Sequence, residues 1–347
     1  LSSKKSKVVH LIPSDGLGGV EAAARSLKVK ESDDVKVWFM SGRSLSNKEF
    51  IVEVAPENKL GSISSYILTF LALMRVRPSL LVCSLWRSTL VGCFYKLFFP
   101  WKKVVIMLHS QRYAHLADRL VTNLGSAVCD EIWCDSKATR DCLLSNKRKV
   151  GAKIISFLVK VPSGKSVERH PLHFVYWGRL VKKKRVELAV EIFHEVTKVY
   201  PNARFCVYGP DGGKRGAIES KIASLGLEES VALVGDKPPD HFDEYIRGAS
   251  FFLNPSTHEG MGMAVIEAMQ LGIVPVVTPV GEIKHYCEDG LNSLVFFGDV
   301  STAVEKILLV IESYEKWPSL SSNAKSTWSN KSDYSEDFLR FSADMVS

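Results

Sequence analysis

The sequence predicts an α/β protein built as two Rossmann-like domains facing across a cleft. Three observations carry this expectation. A strand, a glycine turn and a helix open the chain; a second alternation of strands and helices begins after residue 171; and a stretch of linker composition lies between them. The length agrees, since 347 residues are too many for one ordinary core and suit two of ~100–200 residues each.

Residues 7–12 are a short apolar run of buried-strand type, followed by the turn Ser14-Asp15-Gly16-Leu17-Gly18-Gly19 and an alanine-rich helix over 20–27. Compact apolar runs predict further strands at 35–40, 80–83, 103–108 and 131–134. Ser136 is placed to cap a helix reaching residue 144, and 153–157 reads as one more strand. Residues 160–171 have linker composition. The second series runs through strand 172–177 and helix 185–200, whose Val186, Ala189, Ile192, Phe193, Val196 and Tyr200 recur on one face. Strand 204–208, helix 218–225 and strands 231–234 and 250–253 follow, then helix 263–271 and strand 274–277. The domains are expected over 1–160 and 172–330, joined by a linker at 161–171. A C-terminal amphipathic helix within 331–347 should pack back on the first domain.

Composition narrows the class. Hydrophobic residues at 46% and charged residues at 24% are those of an ordinary globular protein and exclude a mainly disordered chain. The charge-free stretch 60–74 is interrupted by serines and falls short of the ~20 apolar residues that a membrane-spanning helix needs; no segment reads as a leader peptide. The seven cysteines contain no C-x-x-C pair, so reduced cytoplasmic thiols are expected, with Cys129, Cys134 and Cys142 as small buried hydrophobes.

The net charge of +7 conceals a split. Residues 1–165 carry 26 Lys+Arg against 13 Asp+Glu, a net of +13, whereas the rest carries 19 against 25, a net of −6. No acid lies between Glu57 and Asp118, where Lys59, Arg75, Arg77, Arg87, Lys96, Lys102, Lys103 and Arg112 fall. Such an asymmetry asks for an anionic partner on the first half. The segment 92–103 mixes aromatics with lysines, which suits contact with an anionic membrane surface. Nucleic acid is not expected, because no binding motif accompanies the charge.

The most informative segment is Asn254-Pro255-Ser256-Thr257-His258-Glu259-Gly260-Met261-Gly262-Met263-Ala264-Val265-Ile266-Glu267. A strand ends, a glycine-bearing loop turns and a helix begins, leaving free N–H groups that a diphosphate could approach closely past Gly260 and Gly262. Glu259 in the loop is placed to meet a sugar, and Glu267 on the helix to meet ribose hydroxyls. Both could instead be surface acids, but Glu267 interrupts an otherwise apolar run. Competing motifs are weaker. Ser163-Gly164-Lys165-Ser166 lacks the first glycine of a phosphate-binding loop, and Gly16-Leu17-Gly18-Gly19-Val20-Glu21 falls one glycine short of the dinucleotide fingerprint. No D-x-D occurs, so no metal is expected. His109 follows an apolar strand, which puts it at a carboxyl end where active sites lie; a lone histidine is as often a core or loop residue.

This segment, with two glutamates eight apart, resembles the retaining nucleotide-sugar glycosyltransferases of family 4, which have the GT-B fold. Gly178-Arg179-Leu180-Val181 followed by Lys184, Val231-Ala232-Leu233-Val234-Gly235 and Gly290-Leu291-Asn292-Ser293-Leu294-Val295 extend the resemblance through the second half; Gly18-Gly19-Val20-Glu21 and His109 are shorter matches in the first. The resemblance implies transfer of a sugar from a UDP- or GDP-sugar, a substrate rather than a cofactor, with no metal. It implies that Arg179 and Lys184 neutralise the leaving diphosphate and that Glu259 meets the donor sugar. The amides of Gly260, Met261 and Gly262 would bind sugar or phosphate, and Glu267 the ribose. Gly19 would approach the phosphate and His109 the sugar or acceptor, with Gly18 and Glu21 on the acceptor side. Contacts that select the base are expected around residues 235–239. The chain departs from the family pattern at Arg185, where a glycine is usual, at Gly281-Glu282, where a glycine pair is usual, and in a short connection over 27–51.

The expected acceptor is a lipid-linked or otherwise anionic glycan, in bacterial surface polysaccharide synthesis, on an enzyme held peripherally at the cytoplasmic face of the membrane. Two alternatives stay open: another GT-B enzyme such as a nucleotide-sugar epimerase, and a non-catalytic glycosyltransferase-like subunit.

Overall fold

The computed structural model describes residues 7–16, 18–30, 34–44, 48–161, 168–236, 244–313 and 315–347. It divides into two compact units, Leu1–Val159 with Ser332–Ser347, and Lys160–Lys331. The Ser163-Gly164-Lys165-Ser166 motif and residues 237–239 of the expected base-selecting loop lie outside the described residues.

The first unit runs β1 (Val8–Ser14), α1 (Gly19–Arg25), β2 (Val35–Ser41), β3 (Ile51–Glu53), α2 (Ile63–Val76), β4 (Leu80–Ser84), α3 (Leu85–Phe98), β5 (Lys103–Leu108), α4 (Leu116–Val128), β6 (Glu131–Cys134), α5 (Lys137–Leu143), α6 (Asn146–Lys149) and β7 (Lys153–Ile154). All seven strands are parallel, in the order β3-β2-β1-β4-β5-β6-β7. β1 lies near the centre, with Leu11 opposite Trp38 on one side and Cys83 on the other. Covered on both faces, such strands are near-continuous apolar runs, which is why they could be read from the sequence. The order reverses between β1 and β4, which makes their carboxyl ends a switch point.

In the first unit expectation and structure part in strand length, cysteine burial and helix assignment. The strand expected over 153–157 is only Lys153–Ile154. Beyond it the Ser156 N–H donates to Asp337 Oδ2 at 2.8 Å and its hydroxyl to the Ser332 carbonyl at 2.6 Å, so the chain's last segment replaces the ladder. Cys142 is exposed and Cys129 only half-buried, whereas Cys134 is buried as expected. Helices α2, α3 and α4 fall where the sequence reading assigns no element; α2 turns Ser65, Thr69 and Leu73 inward, and α4 turns Thr122 and Gly125 inward.

The second unit runs β8 (His170–Trp177), α7 (Val186–Val199), β9 (Arg204–Tyr208), α8 (Arg215–Ser224), β10 (Val231–Gly235), α9 (Glu244–Gly248), β11 (Ala249–Asn254), α10 (Met263–Gln270), β12 (Val274–Val277), α11 (Ile283–Tyr286), β13 (Leu294–Val295), α12 (Val300–Glu312) and α13 (Lys316–Ser329). Its six parallel strands take the order β10-β9-β8-β11-β12-β13, with the reversal between β8 and β11. Phe174, Phe193, Phe205 and Phe251 lie at the heart of its core, the rings of Phe174 and Phe251 stacked 5.1 Å apart.

The last helix, α14 (Tyr334–Val346), belongs to the first unit. Asp333 and Glu336 form a capping box at its start. The Lys28 backbone N–H donates to Ser335 Oγ at 2.7 Å, while the Lys28 ammonium meets Asp333 at 2.9 Å. Tyr334 and Phe338 are buried, the Phe338 ring 5.0 Å from that of His10.

Candidate active site

In the second unit the carboxyl ends of β8 and β11 sit side by side at the switch point, and the sequence places its chemistry on the loops that leave them. After β8 the chain turns at Gly178, whose φ of +142° is closed to most side chains. A Cβ on the neighbouring Gly209 would lie 2.1 Å from the Gly178 carbonyl oxygen, so the two turns pack backbone against backbone. Arg179 follows, its side chain passing over Gly212. One 3-10 turn over Lys182–Lys184 then leads into α7.

After β11 the loop is held by hydrogen bonds from several elements. The Thr257 N–H donates to the Lys183 carbonyl at 2.8 Å, which ties the two switch-point loops together. The Glu282 N–H donates to the Gly260 carbonyl at 2.9 Å, and the Tyr286 hydroxyl to the Met261 carbonyl at 2.7 Å. Gly281 has φ +63°, and a Cβ there would lie 2.2 Å from the Glu259 carbonyl oxygen, so only glycine fits. Position 282, where a second glycine is usual in the resembled family, needs only its backbone for this contact.

Glu259 is the centre of the site. Its Oε1 accepts from Lys184 Nζ at 2.6 Å and Ser256 Oγ at 2.7 Å, with Asn254 Nδ2 at 3.4 Å. Both ionic partners are sequestered, with side-chain exposures of 16% for Lys184 and 8% for Glu259. Burial pushes the Glu259 carboxyl up, but the Lys184 charge and hydrogen bond, with Ser256 and Asn254, hold it on balance below the usual carboxylate range. It is ionised at neutral pH. The Asn254 and Ser256 side chains were not singled out from the sequence; their signal was a polar residue ending an apolar strand, which is common and unspecific.

Gly260, Met261 and Gly262 lead into α10. Gly262 is the N-cap in the left-handed conformation, φ +72°, and makes no side-chain cap bond, so the first-turn amides have no partner from a cap side chain. On α10, Glu267 accepts from Trp177 Nε1 at 2.7 Å. Trp177 was missed in the sequence because it lies 90 residues away and ends an apolar strand like any core residue. Lys184 and Glu259 are thus brought together, and Glu267 is fixed from β8. Arg185 takes φ +50°, the left-handed position at which the resembled family has glycine.

In the first unit the corresponding ends of β1, β4 and β5 carry the other candidates. Gly18 caps α1 without a side-chain bond and Gly19 is the first helical residue. The Glu21 carboxylate folds back on this turn, since a Cβ on Gly18 would lie 2.4 Å from its Oε2. That is where a carboxylate complements a helix N-terminus. His109 follows β5, and its Nε2 lies 2.9 Å from Ser84 Oγ, which also lies 2.8 Å from Nε2 of the buried His10. One hydroxyl hydrogen serves one ring only, so Ser84 donates to one histidine and accepts from the other, and the two rings hold opposite tautomers. Burial pushes His109 down to about 3 and, with the His109 charge adding to it, His10 also to about 3, so both are neutral at pH 7. The Nδ1 atoms of both rings are buried without a hydrogen-bond partner.

Among the described residues no group of three or more His, Cys, Asp and Glu side chains is placed to hold a metal ion. None of their helices is long and apolar enough to cross a membrane.

Residues 164–327 match the family model of glycosyl transferases group 1, a range that holds Arg179, Lys184, Glu259 and Glu267. The second unit carries a group 1 glycosyl transferase domain. Among curated relatives, a phosphatidylinositol N-acetylglucosaminyltransferase component of Arabidopsis thaliana is 32% identical over 136 residues, which are 39% of this chain and 30% of that protein. The α-monoglucosyldiacylglycerol synthase of Acholeplasma laidlawii is 29% identical over 148 residues, 43% of this chain and 37% of that protein. The chain therefore matches about a third of the length of these relatives. Anabaena Alr3699/HepE, solved with UDP and glucose, matches with a TM-score of 0.80 at 17% identity over 98% of this chain and 99% of that one. The lipopolysaccharide outer core galactosyltransferase WaaB matches at 0.67 and 16%, over 97% and 99%. At these identities the structural likeness establishes the fold, which is GT-B.

Proposed function

We propose that the protein is a retaining, metal-independent hexosyltransferase that uses a nucleotide diphosphate-sugar, with UDP as the nucleotide. The observation that carries the reading is the buried Lys184–Glu259 pair beside the uncapped start of α10, at the switch point of a group 1 domain. The uncapped amides around Gly260–Gly262 are suited to oxygen atoms of the donor. Arg179 and Lys184 would stabilise the charge that develops on the diphosphate as the glycosidic bond breaks. Glu259, kept ionised by Lys184, would accept from the donor sugar beside the reacting carbon. Glu267, oriented by Trp177, would accept from the ribose hydroxyls. UDP is favoured because Anabaena Alr3699/HepE has been solved with UDP and with UDP-glucose.

In the first unit, neutral His109 would face the sugar or acceptor, with Gly19 against phosphate and Gly18 and Glu21 toward the acceptor. The excess of positive charge there suits a lipid-linked or otherwise anionic glycan at the inner face of a membrane, in surface polysaccharide synthesis.

Calorimetric titration of UDP, GDP and ADP in the presence of a chelator tests the donor site. UDP should bind at micromolar strength to the wild type and at least tenfold more weakly to Glu267→Ala and Arg179→Ala. Absence of binding by all three nucleotides, or equal binding by the variants, would remove the support for this reading.

A further inference from the structure

Helices α2, α3 and α4 of the first unit all leave large apolar side chains in solvent, and α4 is built inside out. On α4 the residues turned inward are Thr122 and Gly125, while Leu116, Leu120, Leu124 and Val128, spaced four apart, form a stripe in solvent. The inward face is small because the helix sits tightly against α3: a Cβ on Gly125 would lie 2.3 Å from Thr89 Cγ2. On α2, Ser65, Thr69 and Leu73 are buried, while Ile63, Ile67 and Leu71, again four apart, are exposed. Between them α3 exposes Phe94, Leu97 and Phe98, and Trp101 follows. These are not marginal exposures: Ile63 is 78%, Leu97 74%, Trp101 71% and Leu116 69% accessible. The Phe70 and Phe98 rings meet edge to face at 5.4 Å, so the α2 and α3 surfaces are continuous. Contiguous exposure on this scale marks an interaction surface, since soluble monomers rarely leave large apolar patches open.

The charge around the face selects its partner. Lys59, Arg75 and Arg77 lie before, on and just after α2, and Arg112 and Arg119 before and on α4, all of them exposed. The acids nearby are already engaged: Asp118 accepts from the Ala114 N–H and the Thr122 hydroxyl, and Asp130 from Lys96 and the Val104 N–H. At the carboxyl ends of α2 and α3 a cavity of about 430 Å³ opens, walled by Arg77, Lys102 and Lys7 and by the rings of Phe99 and Trp101. Cations beside aromatic rings at the edge of an apolar face match the headgroup level of an anionic bilayer.

We infer that α2, α3 and α4 form a face that inserts into the interface of an anionic lipid bilayer. Ile67, Leu71, Leu97, Leu120 and Leu124 enter the acyl boundary, while the exposed arginines on and beside α2 and α4 hold lipid phosphates. The face lies on the membrane and does not span it. This deepens the reading of a membrane-borne acceptor and rests on it for purpose, but the contact is tested without any sugar transfer.

The experiment is flotation of the full chain with vesicles of phosphatidylcholine alone or mixed with phosphatidylglycerol, at low salt and at about 1 M salt, where charges are screened beyond ~3 Å. The wild type should float with both kinds of vesicle, more strongly with the mixed ones, and high salt should bring the mixed vesicles down to the phosphatidylcholine level without abolishing flotation. The triple variant Ile67→Ser, Leu120→Ser, Leu124→Ser changes exposed positions only. It should lose at least tenfold in vesicle partition and bind UDP as the wild type does. Wild type that stays with the soluble fraction, binding abolished by high salt, or a triple variant that floats like wild type would each overturn the inference. So would sedimentation showing a wild-type dimer that the triple variant loses, because the face would then belong to a second copy. Flotation without UDP binding would contradict the proposed donor site and leave this face standing.

Discussion

Helices α7 and α4 make an instructive pair. Both are amphipathic and of nearly equal length, 14 and 13 residues. In the second unit α7 buries Val186, Leu188, Ala189, Val190, Ile192, Phe193 and Val196 against the sheet. In the first unit α4 buries Thr122 and Gly125 and turns its leucines outward. Periodicity tells that a segment is a helix but is silent on which face is inside; that depends on what the sheet beneath can accept. The two units also differ in charge: residues 1–159 with 332–347 carry 25 Lys+Arg against 17 Asp+Glu, a net of +8, whereas residues 160–331 carry 20 against 21, a net of −1. One is built around a small polar site, the other around a sheet with an outward apolar and cationic face.

The comparison breaks most visibly at the buried ion pair. Lys184→Met leaves Glu259 buried without its cation and should cost about 3 kcal/mol or more by urea unfolding, with transfer falling by about 10²–10³-fold. The pH dependence has a defined sign. Glu259 has its folded-state pKa lowered, so it contributes stability above the unfolded value of about 4.3, which is lost as pH falls through the folded value. Without Lys184 burial dominates, the folded pKa rises, and the variant should be destabilised relative to wild type chiefly at neutral pH. Equal unfolding midpoints at pH 7 would show that the pair is not coupled as the distances indicate.

Truncating equivalent aliphatic residues sharpens the contrast directly. Ile192→Ala in α7 should cost about 2–5 kcal/mol, as cavity-forming changes do. In the first unit Ser84→Ala removes the hydroxyl shared by buried His10 and half-buried His109 and should cost about 1–3 kcal/mol. His10 adds a pH effect of opposite origin from that of Glu259. Its folded pKa of about 3 lies below the unfolded 6.5, so the unfolded chain takes up the proton first. Stability should therefore fall with pH from about 6.5 down to about 3, by about 1.4 kcal/mol per pH unit for this residue. A flat unfolding profile over that window would contradict a buried neutral His10. Smaller still, Arg185→Gly relieves the left-handed backbone and should stabilise by up to about 1 kcal/mol. Leu124→Ala, at an exposed position, should change stability by less than about 0.5 kcal/mol, and a cost like that of Ile192→Ala would mean that the α4 stripe is covered in the protein itself.

Much of the fold was legible because doubly covered parallel strands are short apolar runs with sharp ends; the strand at 204–208 matches residue for residue. Edges were less so: 153–157 shortened because pairing at an edge competes with the terminal segment, which no local pattern announces. Helices α2, α3 and α4 are not assigned in the sequence reading, although Leu116, Leu120, Leu124 and Val128 recur at helical spacing; what that pattern does not tell is which face lies inside. At the site, Glu259, Gly260–Gly262 and Glu267 stood out as glycines and acids interrupting an apolar stretch. Trp177 and Ser84 did not, because their partners lie 90 and 74 residues away and only the fold brings them together.

The most direct test of the central claim is release of UDP from a panel of UDP-hexoses by the full chain without acceptor or metal, with the liberated sugar followed by proton NMR at early times. The account predicts slow release from one UDP-hexose, the free sugar forming first in the anomeric configuration it had in the donor, and no release by Lys184→Met. No release from any donor, or a first-formed sugar of inverted configuration, would contradict a retaining transferase centred on Lys184 and Glu259.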